Sequence, residues 1–402
     1  MSITPDSGEL PLARDLPAGR PLSLKVIGVG GAGANIVRRL HAENLPGLAL
    51  AVVDTDQAVL TAADLPDRTL LGAALTRGLG AGGDPALGRE AATAEPEKIS
   101  ALVKDCDLVF LVGGMGGGTG AGVTPVLAEA ATRAGALVLA FVTLPFSFER
   151  GRVAAAEESL RTLRTGCDAV LPLPNDILLQ AAAEHENARH AFARADEWIG
   201  RAVKSVWAML SRPGLIPLDL AKLQQAFATR GGRTLFGLGQ GAGSTAVADA
   251  VASLRLCPLL QSPEFARKAD RLLVSILGGP GLTLQDVRTL MDAVAEQFGR
   301  DPLVIPGAAM DDAMGDRVEI VVLGTCELGG RRQTPRRASA RDRAAAAAGA
   351  PEPAPAEAAQ NEFAFGTETE SRGYFDKTDR NLFEGQDLDI PTYQRKGIKL
   401  VL

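Results

Sequence analysis

Residues 113–122 read Gly-Gly-Met-Gly-Gly-Gly-Thr-Gly-Ala-Gly. They lie between an apolar run, 108–112, and a helix-like segment, 123–130. A strand, a run nearly free of Cβ atoms and a helix N-terminus make a phosphate cradle. Backbone N–H groups can close on oxygens, and the helix end adds unpaired donors and about half a positive charge. The Gly-Lys-Ser/Thr of a P-loop is absent, so no lysine of this loop reaches the β/γ-phosphates. A flexible linker of this composition would not sit tightly between a buried-type strand and an apolar helix. An earlier loop, Gly28-Val-Gly-Gly-Ala-Gly33, opens another helix-like stretch, and Asp54 follows about 20 residues later at a strand end, which also mimics a dinucleotide-binding fingerprint. That admits a nicotinamide-dependent dehydrogenase. The loop at 113–122 weighs against it, because a dehydrogenase has no use for a second strand–glycine–helix cradle. Two cradles on one ligand suit a nucleoside triphosphate. A third loop, Gly78-Leu-Gly-Ala-Gly-Gly-Asp84, either joins them or is a plain surface turn.

The elements that must position these loops alternate. Strand-like runs at 24–29, 48–53, 107–112, 136–142 and 168–173 are nearly continuous in apolar residues, and helix-like segments such as 35–43 lie between them. This pattern predicts a parallel sheet covered on both faces, with ligands at the carboxyl ends of its strands. Residues 187–212 predict a long helix with Phe192, Ile199, Val203, Val206, Met209 and Leu210 on one broad face, stopped by Pro213-Gly214. Beyond it an α+β unit is expected. It comprises a helix at 220–228, a glycine-rich turn at 237–243, a helix from Ala246, strands at 271–277 and 317–323, and a helix at 283–298 between them.

Bulk composition narrows the classes. A chain of 402 residues with 46% hydrophobic residues builds two or three packed domains at roughly 100–200 residues each, and at 4% aromatics their cores must be aliphatic. A net charge of −6 gives no global drive toward nucleic acid. The four cysteines are widely spaced and read as free core thiols of a reducing compartment. Three histidines without ligand spacing predict no metal site built from side chains. The first residues carry no secretory pattern. No apolar run reaches the ~20 residues that span a bilayer, so direct membrane insertion is not expected. Residues 331–343 hold six arginines, and 344–360 are almost entirely alanine, proline, glutamate and glutamine, which predicts a disordered linker. Apolar character returns in Leu388-Asp-Ile-Pro-Thr-Tyr393 and in the basic end that follows, a pattern suited to folding on a partner.

The chain resembles FtsZ, the bacterial tubulin-like GTPase of cell division. The resemblance rests on 26–35 (Val-Ile-Gly-Val-Gly-Gly-Ala-Gly-Ala-Asn), the loop at 113–122 with Ala121 where the family usually has threonine, Pro145-Phe-Ser-Phe-Glu149, Leu173-Pro-Asn-Asp176, Arg212-Pro-Gly-Leu-Ile216 and Asp389-Ile-Pro391. It covers 23–326 and a short C-terminal peptide. It implies an α/β, tubulin/FtsZ-like fold: an N-terminal tail (1–22), a parallel-sheet GTP-binding domain (23–186), a central helix (187–212), an α+β domain (213–326), a disordered linker (327–382) and a partner-binding peptide (383–402). The implied protein is cytoplasmic and sits at the division site. It assembles head to tail into filaments and meets membrane-tethering division proteins through Asp389, Ile390 and Pro391.

The resemblance also implies site roles. Gly30, Gly31, Ala32, Gly33 and Asn35 wrap the phosphates of GTP or GDP, with Asp54 at the neighbouring strand end. Gly114, Met115 and Gly116 belong to the second loop, in which Gly117, Gly118, Thr119 and Gly120 hold the β- and γ-groups. Thr119 acts through its hydroxyl and can cap the helix as well. Ala81, Gly82 and Gly83 match the loop that senses the γ-phosphate, and Mg2+ accompanies the nucleotide. Glu149 and Arg152 contact ribose and phosphates, although the family spacing is usually one residue longer. Asn175 and Asp196 read the base, since a carboxylate accepts from the N1–H and N2 amine that guanine has and adenine lacks. Phe192 either stacks on the base or belongs to the helix core.

The catalytic loop departs from the family pattern. Where FtsZ has Asn-x-Asp-x-x-Asp, entering the site of the next subunit, this chain has Pro217-Leu-Asp-Leu-Ala-Lys222. Asp219 is kept, as a catalytic carboxylate or only a helix cap. Lys222 replaces a carboxylate that would position water, and at an ordinary pKa of ~10.4 it has no acceptor to offer. Hydrolysis is therefore expected to be slow or absent, and a non-hydrolysing structural scaffold of the same fold stands as the alternative.

Overall fold

The computed structural model describes residues 21–181, 187–212, 214–227, 232–260, 269–299, 302–326, 382–383 and 386–387. The chain forms two compact units, Met1–Arg331 and Arg332–Leu402. In the second, the described residues are two short antiparallel strands, Leu382–Phe383 and Gln386–Asp387. The arginine-rich stretch and the Asp389-Ile390-Pro391 motif lie outside the described residues, as does the N-terminal tail up to residue 20.

The first unit opens with alternating strands and helices. These are β1 (Leu24–Val29), α1 (Gly30–Ala42), β2 (Leu48–Asp54), α2 (Gln57–Ala63), β3 (Arg68–Leu70), α3 (Ala73–Thr76), α4 (Pro85–Thr93), α5 (Pro96–Val103), β4 (Leu108–Gly114), α6 (Gly118–Arg133), β5 (Leu137–Leu144), α7 (Arg150–Gly166), β6 (Ala169–Pro174) and α8 (Asp176–Ala181). The six strands make one wholly parallel sheet in the order β3-β2-β1-β4-β5-β6. β4 lies in mid-sheet and is buried along almost its whole length, which is why its sequence is an unbroken apolar run.

A 24-residue helix, α9 (Ala188–Ser211), leads on to β7 (Gly214–Ile216), α10 (Leu220–Ala226), β8 (Arg233–Ala242), α11 (Ala246–Arg255), β9 (Arg271–Gly278), α12 (Leu284–Phe298), β10 (Leu303–Met310) and β11 (Arg317–Cys326). The five strands form a mixed sheet in the order β7-β10-β9-β11-β8. One apolar core runs from the lower face of the first sheet, through Val203, Val206 and Trp207 of α9, to Leu273, Ile276 and Ile320 of the second. Polar contacts fix the helix: Trp207 Nε1 donates to the Pro46 carbonyl at 3.2 Å, and the Ser205 and Ser275 hydroxyls bond across the interface. Arg212 closes its end, stacked 5.1 Å from the Trp207 ring and paired at 3.0 Å with buried Asp311. Among the described residues no helix is long and apolar enough to cross a membrane.

Several short elements, β3 and β7 among them, have no counterpart in the sequence reading, and two longer segments differ from it. The stretch 237–243, expected as a turn, is mostly strand β8. Its glycines fall at 237, 239 and 241, every second residue and therefore on one face. A Cβ at 239 would stand 2.3 Å from the Ala250 carbonyl oxygen, and one at 241 would stand 2.0 Å from that of Ala246. The glycines thus seat α11 directly on the strand backbone. β10 has no counterpart in the sequence reading, because Pro306 and Gly307 interrupt it. β7 covers only Ala308 and Ala309, which leaves the Pro306 stretch at an edge where a missing N–H is tolerated.

Backbone contact of the same kind joins α4 to α6, where a Cβ at 122 would meet the Pro85 carbonyl oxygen at 2.4 Å and the Arg89 nitrogen at 2.6 Å. Gly122→Ala should therefore force the two helices apart and cost about 1–3 kcal/mol in urea unfolding. A midpoint unchanged from wild type would contradict this packing.

Candidate functional site

The carboxyl ends of β1, β2, β4, β5 and β6 open into one cleft of about 510 Å³. Of the expected residues, Gly30, Gly31, Ala32, Asn35, Asp54, Ala81, Gly82, Gly83, Gly114, Gly116, Gly117, Gly118, Thr119, Gly120, Glu149, Arg152, Asn175, Phe192 and Asp196 all line it. Stretches as far apart as 30 and 196 in the chain thus meet at one place.

The cleft's electrostatics come first from backbone. α1 and α6 both begin at its floor, and neither has a side-chain cap, so their first-turn N–H groups are left to the cleft. The neighbouring α2 and α4 are capped, by Asp56 and Asp84. The second loop can fold this tightly only without a side chain at 120, where a Cβ would stand 2.1 Å from the Gly114 carbonyl oxygen. The third loop is pre-shaped by Gly78, Gly80, Gly82 and Gly83, with φ of 73°, 84°, 59° and 83°.

The other end of the cleft carries acceptors. Asn175 Oδ1 is buried and has no hydrogen-bond partner among the described residues. The Asp196 carboxyl is pushed up to about 6 by burial, against the pull of Arg39 and Arg38. The orphaned Asn175 Oδ1 and the half-buried Asp196 carboxylate are acceptors that match a ring presenting N–H groups. Phe192 is 46% exposed on the cleft wall, edge-on to Phe146 at 5.8 Å, so it is not sealed in the helix core. Phe146 in turn stacks on Phe148 at 4.9 Å. Glu149 and Arg152 pair with each other at 2.8 Å, and Glu149 also accepts from the Phe146 N–H at 3.1 Å.

Four expected residues lie elsewhere. Gly33 sits behind the first loop, where a Cβ would be 2.4 Å from the Val112 carbonyl oxygen. Met115 is wholly buried in the core. Asp219 and Lys222 do not line this cleft. Asp219 caps α10 by accepting the Lys222 N–H at 2.7 Å, and Lys222 Nζ donates back to the Pro217 carbonyl at 3.1 Å. The sequence reading missed Asp56 and Thr143, which also line the cleft. Asp56 stands two residues after Asp54, and its helix-capping position was the available signal.

The parallel sheet, the long joining helix and the second mixed sheet define the tubulin-like class. Residues 23–183 match the Tubulin/FtsZ family GTPase domain, and residues 232–326 match the FtsZ family C-terminal domain. Cell division protein FtsZ 1 of Archaeoglobus fulgidus is 38% identical over 303 residues, which are 75% of this chain and 81% of that protein. The empty FtsZ dimer of M. jannaschii superposes with a TM-score of 0.69 at 32% identity, over 76% of this chain and 88% of that one. CetZ1 of Haloferax volcanii, solved as a GDP-bound monomer, shares the fold with a TM-score of 0.65 at 24% identity, over 77% of this chain and 95% of that one. The chain belongs to the Tubulin/FtsZ family of GTPases, in its FtsZ branch. Membership implies a guanine nucleotide and sets aside the dehydrogenase alternative.

The raised Asp196 carboxyl sets a pH test. The base-reading role expected of Asp196 needs the ionised form, present above about pH 6. Guanine-nucleotide affinity should be flat above pH 7 and about tenfold weaker at pH 5. Asp196→Asn should bind weakly and lose this dependence. Acid unfolding through this group would not mimic the effect. An acid whose pKa is raised by folding stabilises the fold as pH drops from above 6 toward its ordinary value of 3.8.

Proposed function

We propose that the cleft binds GTP, that copies of the chain assemble head to tail with the nucleotide between them, and that the filaments serve cell division. One observation carries this reading. Two uncapped helix N-termini and three glycine loops face the cleft at one end, and the unpartnered Asn175 Oδ1 and the Asp196 carboxylate face it at the other. Such a site complements a triphosphate joined to a purine with N–H donors. The nineteen expected residues that line the cleft are assigned nucleotide contacts on this basis, with Phe192 stacking on the base. Gly33 and Met115 support the loops from behind. Mg2+ would be held by phosphate oxygens and water with Asp54 or Asp56 nearby, since among the described residues no cluster of three or more metal-ligating side chains occurs.

Assembly is supported by the outward position of the 217–222 segment. Asp219 and Lys222 are exposed and do not reach their own cleft, so they act only on the site of another copy. Head-to-tail contact of this kind does not close and yields filaments. The M. jannaschii relative is itself a dimer. In this scheme residues 23–186 are the GTP-binding domain, 187–212 the joining helix and 213–326 the second domain. The 327–382 linker then carries the peptide 383–402 to a membrane-tethering partner at the division site, in the cytoplasm.

A second reading, a scaffold that does not hydrolyse GTP, is favoured by the same segment. Asp219 is engaged as a helix cap, and Lys222 turns back on its own loop and offers no proton acceptor. Turnover is therefore slow. One positioned acid–base group is worth 10²–10⁴-fold. Purified protein should bind GTP by calorimetry and pellet with it, while releasing phosphate slowly. Lys222→Asp should raise phosphate release roughly 10²-fold. No affinity for GTP would remove the reading, and rapid release by the unaltered chain would remove the role given to Lys222.

A further inference from the structure

Behind the cleft floor a chain of buried hydroxyls ties Thr119 to two residues given no role above, Thr55 and Thr76. Thr119 Oγ1, on the first turn of α6, donates to Asp54 Oδ1 at 3.0 Å. That oxygen also accepts from the backbone N–H groups of Thr55 at 2.7 Å and Asp56 at 3.1 Å. The Thr119 and Thr55 hydroxyl oxygens are 2.7 Å apart. A hydroxyl has one proton. Thr119 gives its own to Asp54, so the Thr55 hydroxyl is the donor of this pair. Thr55 is wholly buried. Its carbonyl accepts from the Gly80 N–H at 3.1 Å and shares the Thr76 hydroxyl, 3.1 Å away, with the Gly72 carbonyl at the same distance. Thr76 Oγ1 in turn accepts from the Gly78 N–H at 3.2 Å. Through its two oxygens, one residue at the end of β2 therefore ties the second glycine loop to the third.

This geometry has a consequence for the proton of Thr119. With the Thr55 hydroxyl donating to it, the Thr119 oxygen is held as an acceptor while its own proton remains free to turn. It can stay on Asp54, which keeps two backbone donors if the proton leaves, or turn to an anion at the α6 N-terminus. The third loop is anchored on the other side of the same residue. A ligand group touching both loops is thus met by a pair of segments at fixed separation, and a shorter ligand meets only one.

We propose that Thr55 is a positioning residue that sets discrimination between guanosine tri- and diphosphate. It acts by holding Thr119 and the 78–83 loop in register for a terminal phosphate. The proposal rests on the nucleotide reading of the cleft. It does not require hydrolysis or assembly.

The test is titration of nucleotide-free full-length protein with GDP and with a slowly hydrolysed GTP analogue, for wild type, Thr55→Val and Thr55→Ser. The valine variant keeps shape and both carbonyl bonds but loses the hydroxyl. Its affinity for the triphosphate should fall by on the order of tenfold, with GDP affinity changed less than about threefold. Thr55→Ser should restore the wild-type ratio. A ratio unchanged in Thr55→Val overturns the proposal, as does a serine variant as impaired as the valine one, which would assign the effect to packing. Should Thr55→Val fail to fold, Thr76→Val cuts the other end of the chain and must lower the ratio in the same direction, or the proposal fails. Wild-type protein that binds neither nucleotide would instead overturn the reading of the cleft.

Discussion

Bare backbone against bare backbone is the contact on which the rest of the structure depends. A Cβ at 28 would stand 2.5 Å from the Gly33 carbonyl oxygen, one at 120 would stand 2.1 Å from that of Gly114, and one at 88 would stand 2.3 Å from that of Gly118. Each contact joins a strand end, a loop or a helix to the first turn of α1 or α6. The two helix N-termini can face one small cleft only because nothing keeps them apart. The electrostatic character of the site follows from this packing. The dipoles are fixed in place and do not need to reorganise around a ligand, which makes them effective toward an anion.

The second constraint is the joining helix. α9 contributes Phe192 and Asp196 to the cleft at one end, and at the other Trp207 stacks with Arg212, which follows the helix and pairs with Asp311 beyond β10. Arg212 is held by Trp207 and by Asp311, which also caps the short turn after β10 by accepting the Ala313 N–H at 3.0 Å. The segment that follows, β7 and the residues to Lys222, starts from this fixed point. A rigid helix of 24 residues spans about 36 Å. Phe192 and Asp196 and the 217–222 loop are therefore placed at opposite ends of one element, which suits a chain that offers its cleft at one end and its loop at the other.

Much of this was legible in the sequence because the responsible residues are periodic or of restricted type. The parallel sheet declared itself through unbroken apolar strands, and the long helix through the broad face ending at Pro213-Gly214. The three glycine loops could be placed because glycine clusters next to strand ends have few other uses. What stayed hidden depends on neighbours remote in sequence. Glycines 239 and 241 read as part of a turn until α11 is seen lying on them, and Pro306 concealed a strand whose edge partner, β7, is only three residues long. Gly33 and Gly30 are indistinguishable in sequence, yet one supports the loop and the other faces the cleft. The Thr55–Thr119 contact joins residues 64 apart, and no local pattern marks it.

On the proposed reading, Lys222 separates two properties that a carboxylate at that place would combine. Filament contact needs only complementarity between the outward loop and a cleft whose bound phosphates are anionic, and a cation serves that purpose better than an anion. Hydrolysis needs an acceptor that becomes more strongly bound as water loses its proton, and an ammonium has no lone pair to give. A charge that attracts the bound nucleotide equally before and during the reaction strengthens association without lowering the barrier. On the proposed reading, therefore, the substitution moves the protein toward a longer-lived polymer without weakening it. Asp219 is the single carboxylate of residues 217–222, and it is already committed to the N-terminus of α10.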